Sequence, residues 1–129
     1  MFLYNNDKKN MAIVYDYLTD IREDYRSQIN LIDNDIARAS KIIEESKINM
    51  QQIKSTFDSS YLVLSSSQVA MVNEYAEIDS LQEIINIREK EIDELNCRKA
   101  ELTEKLLEIE DVIMCANSVR KVFDEKSFT

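Results

Sequence analysis

The sequence predicts an all-α fold: a long antiparallel helical hairpin of coiled-coil type that pairs with a second copy into a four-helix arrangement. Three observations carry this expectation. First, the 129 residues include no Gly and no Pro, the residues that supply tight turns in sheets, hairpins and most loops. A chain without them runs straight for long distances. Second, 44% of residues are apolar and 32% charged, a balance that argues against disorder and suits amphipathic helices. Third, apolar positions recur at alternating spacings of three and four along two long stretches, which is the heptad signature. The length suits a single domain spanning 1–129.

The first helix is expected over about 7–57. Asn6 or Asp7 is a suitable N-cap, because a short polar side chain can accept from the free amides of the first turn. One seam row then holds Met11, Leu18, Tyr25, Ile32, Ala39, Ser46 and Ile53. Its companion holds Tyr15, Arg22, Ile29, Ile36, Ile43, Met50 and Phe57. Such a repeat keeps its register only by winding left-handed about a partner helix. Val14 and Ile21 widen the stripe beyond what one partner covers.

The repeat breaks over a connector at about 58–65. Tyr61-Leu62-Val63-Leu64 is an apolar tetrapeptide where polar turn residues are the norm. It reads in two ways: as packing for the bundle end, or as a docking surface or joint for a partner. Next comes a helix start. Ser65 and Gln68 have capping-box spacing, and Leu64 and Val69 have the spacing of a hydrophobic staple.

The second helix is expected over about 66–123. Its rows are Leu81, Arg88, Leu95, Leu102, Ile109, Ala116 and Phe123, and Met71, Ile78, Ile85, Ile92, Lys99, Leu106, Ile113 and Arg120. Val72, Tyr75, Ile84, Ile87, Leu107, Val112, Val119 and Val122 lie outside them. Two helices alone bury one narrow seam, so these widened stripes call for a homodimer. Arg88, Lys99 and Arg120 occupy apolar seam positions, where a cation must pair or snorkel to water. A turn near Tyr61 and Leu62 makes facing residue numbers sum to about 123. That sets Lys99 near Asp24 and Arg88 near Asp35, two pairs able to hold the helices in register.

Net charge is -9. Residues 1–57 carry 8 basic and 9 acidic side chains and the rest carry 8 and 16, so the excess lies in the second half. An acidic surface repels phosphates and anionic lipids, which points away from nucleic acid and membrane partners. Cys97 and Cys115, on one helix, would stand about 27 Å apart, too far for a shared disulfide or metal. Two free thiols fit a reducing compartment. Met1 is followed by a mixed polar stretch rather than a basic and then apolar run, and no window approaches the length of a membrane span. A cytoplasmic protein is expected.

The chain has no His, so the commonest general base is missing, along with Ser–His and Cys–His pairs. Without Gly no loop can cradle a phosphate. Glu89, Glu91, Asp93 and Glu94 are read as a solvated helix face rather than a cation site, since an EF-hand loop needs its central Gly. No catalytic, cofactor or metal residues are therefore assigned, and the chain is not expected to be an enzyme.

Three segments carry a family resemblance. REKEIDELNCRKAELTEKLLEIEDVI (Arg88 to Ile113), STFDSS (Ser55 to Ser60) and NEYAEIDSLQ (Asn73 to Gln82) occur in the order of the N-terminal sensor region of DegS-type histidine kinases. From Lys54 to about Phe123, and more loosely back to Tyr15, the chain resembles that region. The resemblance implies a cytoplasmic, dimeric, non-catalytic input domain that relays a signal to a kinase domain controlling autophosphorylation and transfer to a response regulator. The phosphoacceptor His and a Gly-rich ATP site have no counterpart in this chain, so no kinase residue is carried over. Read from the residues alone, the alternative is a free-standing coiled-coil adaptor, secretion chaperone or structural protein that binds partner helices.

Overall fold

A computed structural model describes the backbone of residues 2–61 and 68–126 and the side chains of residues 9–56 and 73–122. The described structure is entirely helical: α1 spans Phe2–Tyr61 and α2 spans Gln68–Lys126. The two pack against each other as an all-α helical hairpin, as expected.

Both helices are longer than their seam rows. α1 already includes Phe2 and runs through Asp58, Ser59, Ser60 and Tyr61, residues expected in the connector. The reason is local. Neither Gly nor Pro interrupts the backbone, and Ser and Asp each cost only a few tenths of a kcal/mol in a helix. At the other end α2 continues past Phe123 to Lys126. Leu62, Val63, Leu64 and Ser65 lie outside the described residues, as do the side chains of Tyr61, Gln68 and Val69.

The chain divides into two compact units. One comprises Met1–Ile32 with Arg98–Thr129. Its buried side chains are Ile32, Leu102 and Ile113, and Met11, Leu18, Tyr25, Leu106 and Ile109 are half-buried around them. The other unit comprises Asp33–Cys97. Ala39, Ile43, Ser46 and Ile85 are buried there, with Ile53, Ile78, Leu81, Ile92 and Leu95 half-buried. Ala39 and Ser46, one heptad apart, are 2% and 5% exposed. Small side chains at a helix contact let the backbones approach closely, because interaxial distance follows side-chain size.

Every described member of the two α1 seam rows is buried or half-buried. The same holds for the α2 rows except Arg120, which is exposed. The additional apolar residues behave differently. Val14, Tyr75, Ile84, Ile87, Leu107, Val112, Val119 and Val122 are all exposed, and only Ile21 among the described ones is half-buried. Among the described residues six apolar side chains are buried while thirteen large ones are exposed. One seam is thus filled and a good deal of apolar surface remains outside it. No described helix is long and apolar enough to cross a membrane.

Candidate functional site

Two cross-helix contacts report the register within the unit of Met1–Ile32 and Arg98–Thr129. The Arg26 guanidinium donates to a Glu110 carboxylate oxygen at 3.2 Å across the helices, and also to Glu23 at 3.2 Å. The Arg120 guanidinium carbon lies 5.8 Å from the centroid of the Tyr15 ring, within cation–π range. Facing numbers in these two contacts sum to 136 and 135, where 123 was expected. The difference is a correction. α1 ends at Tyr61 and α2 begins at Gln68, later than a turn centred on Tyr61 and Leu62 implies, and these helix ends account for about half of it.

The register candidates follow suit. Arg88 donates to Glu91 on its own helix at 2.7 Å, and Asp35 accepts from Arg38 at 2.7 Å. Asp24 accepts from the Gln28 amide at 2.8 Å. Lys99 is half-buried. The Arg88–Asp35 pair is replaced by ion pairs three residues apart on each helix, the neighbours that helical geometry supplies at least entropic cost. The exposed cross-helix pair Arg26–Glu110 should therefore show a coupling of about 0.2–1 kcal/mol in a double-mutant cycle. Lys99 and Asp24 should fall below about 0.3 kcal/mol, the additivity error for independent sites. A larger coupling for the second pair than the first would restore the register expected from sequence.

Within the unit Asp33–Cys97 a groove of about 330 Å³ opens between the helices, lined by Asn49, Gln52, Ile53, Thr56, Glu74, Glu77 and Leu81. The Thr56 hydroxyl donates back to the Gln52 carbonyl at 2.9 Å. A Glu74 carboxylate oxygen is out of contact with solvent and accepts no hydrogen bond among the described residues. Two amides, a hydroxyl and two carboxylates can exchange hydrogen bonds with a polar guest. The Thr56 hydroxyl is bonded within its own helix rather than to either carboxylate. Among the described residues no three His, Cys, Asp or Glu side chains converge as metal ligands. Cys97 and Cys115 are exposed free thiols.

Each unit also leaves large apolar side chains of α2 exposed. Ile84 and Ile87 are 39% and 56% exposed, and Val112, Val119 and Val122 are 48%, 46% and 49% exposed. All five share two adjacent heptad phases, separate from those of the hairpin seam. Between them the same phases carry Glu91, Glu94, Arg98, Glu101, Lys105 and Glu108. Sequence reasoning met the apolar members only as widening of the seam. Continuing their phase through the charged middle was the available signal.

The sequence and structure were compared with known proteins. No family model matches the chain, and no curated protein or solved structure is significantly similar to it.

Proposed function

We propose that the chain is a non-catalytic helical interaction module that works as a homodimer. The observation that carries this reading is the set of exposed large apolar side chains, which outnumber the buried ones among the described residues. Apolar strips of helical periodicity are normally covered by another helix.

Two settings fit such a module. The resemblance of three segments to the sensor region of DegS-type histidine kinases supports a cytoplasmic signal-input domain that passes changes in helix packing to a kinase domain. The exposed apolar side chains of α2 support an adaptor, chaperone or structural protein that presents helix faces to partner helices. Exposed free thiols suit the reducing interior of a cell in either setting.

Light scattering on the purified chain should give twice the 15.1 kDa chain mass, with a helical circular dichroism spectrum. A monomer persisting at about 100 μM, where even a weak micromolar dimer is mostly assembled, contradicts the homodimer. The setting is decided by the native reading frame. A phosphoacceptor helix and an ATP-binding domain encoded after Thr129 select the signal-input reading, and a stop codon there selects the adaptor.

A further inference from the structure

We infer that a second copy docks on one flank of the unit formed by Met1–Ile32 and Arg98–Thr129, the flank that carries Val14, Ile21 and Gln28 on α1 and Val119, Val112 and Lys105 on α2. A two-fold axis along the hairpin relates the copies, so that α1 of each lies on α2 of the other. The inference rests on the homodimer reading and names the face and the orientation that form it.

A helical hairpin has two flanks, one on either side of its seam. Arg26 and Glu110 bridge one of them at 3.2 Å. That flank is polar, with Thr19, Thr103 and Asn117 one heptad away from the pair. The opposite flank holds the residues one place before each member of the seam rows through Tyr15 and Leu106. Val14, Val112 and Val119 are exposed there, and Ile21 and Gln28 are half-buried. Only this second flank offers apolar side chains from both helices of the unit.

Symmetry fixes how two such flanks match. Rotation about an axis along the hairpin keeps every residue at its own level. Arg26–Glu110 and Tyr15–Arg120 show that level residues have sums of 136 and 135. The flank positions meet at a sum of 133, within one helical turn of that level. Val14 then lies on Val119 of the other copy and Ile21 lies on Val112, and the axis repeats both contacts. Two apolar layers of four side chains result. The next layer sets Gln28 against Lys105. The Gln28 amide nitrogen donates to Asp24 at 2.8 Å, which leaves the Gln28 carbonyl oxygen to accept from the Lys105 ammonium. Lys105 makes no ion pair among the described residues. Apolar meets apolar and polar meets polar at the one level that the two-fold allows, and this match selects a second copy as the occupant. A slip of one heptad, which breaks the symmetry, sets Ile21 on Lys105. At the outer edge Tyr17 and Val122 extend the apolar surface, while Asp24 and Glu108 stand there exposed to water.

Added charge tests the face in the full chain. Val112→Glu with Val119→Glu puts four carboxylates into the apolar layers of a dimer. Dimerisation should weaken at least about tenfold in sedimentation equilibrium. The helical circular dichroism spectrum should not change, because both positions are exposed in the single chain. Leu107→Glu with Met114→Glu adds the same charge at exposed positions off the flank and should leave the dimer as tight as wild type. If the first variant dimerises like wild type, or if both weaken equally, the face is wrong and the homodimer survives. If wild type is a monomer, both fall.

Orientation is read by cross-linking between two chains that each carry Cys97→Ser and Cys115→Ser. A Val14→Cys chain mixed with a Val119→Cys chain should form a covalent heterodimer on mild oxidation. Its absence while the dimer persists overturns the orientation. A Val14→Cys chain mixed with an Ile21→Cys chain should stay reduced. A disulfide between those two marks α1 lying on α1, with the axis across the hairpin, and overturns the arrangement.

Discussion

Replacing Ile85 with Pro abolishes cooperative folding of the unit Asp33–Cys97. Ile85 is 3% exposed in the interior of α2, seventeen residues after its start at Gln68. Proline there removes an amide donor, and its ring collides with the carbonyl of Leu81, at a cost of about 3 kcal/mol or more. Losing the buried side chain adds about 2 kcal/mol. Single domains are stable by only about 5–15 kcal/mol, and this unit buries few large side chains. Thermal melting followed by circular dichroism should lose its sigmoidal transition or shift strongly downward. A variant that melts like the parent would place Ile85 outside any packed helix.

Ile113→Ala is the second large effect, with an expected destabilisation of about 2–4 kcal/mol in chemical denaturation. Ile113 is 4% exposed, while its neighbour Met114 is 66% exposed. Truncating Ile113 removes transfer energy and leaves a cavity in the seam. Met114→Ala should change stability by no more than about 0.5 kcal/mol, as substitutions outside such features do. The adjacent pair separates seam burial from general hydrophobicity. Equal losses at the two positions would mean that the helix is rotated from the orientation described.

Both expectations draw on a seam that the amino-acid pattern already displays. The alternation that runs from Met11 to Ile53 in α1 marks the residues found buried or half-buried. The described members of the rows in α2 do the same as far as Ala116. A heptad repeat can be read directly because side-chain direction in a helix depends on position alone, at about 100° per residue. Of the four seam cations three obey it: Arg22, Arg88 and Lys99 are half-buried while Arg120 is exposed, and the stems of the three are able to lie along the apolar stripe with charged ends reaching outward.

Position within a helix says nothing about where the facing helix is cut by the turn. The facing numbers sum to about a dozen more than expected, and part of that difference arises because α1 does not stop where its seam row does. Ser and Asp are poor signals for a helix end when neither Gly nor Pro is present to enforce one. That offset decides which charges can meet, and so Arg26 finds Glu110 while Arg88 and Asp35 turn to neighbours on their own helices.

The sequence by itself determined that this protein forms two long helices and which face of each enters the seam. Only the tertiary structure decided the register of the hairpin and the fate of the widened stripes. Val112, Val119, Ile84 and Ile87 carry the same apolar chemistry as Ile85 and Ile113, yet they stay exposed. The physical reason is geometric: one facing helix covers a strip about two heptad phases wide, and whatever lies beyond it stays in water until another helix arrives.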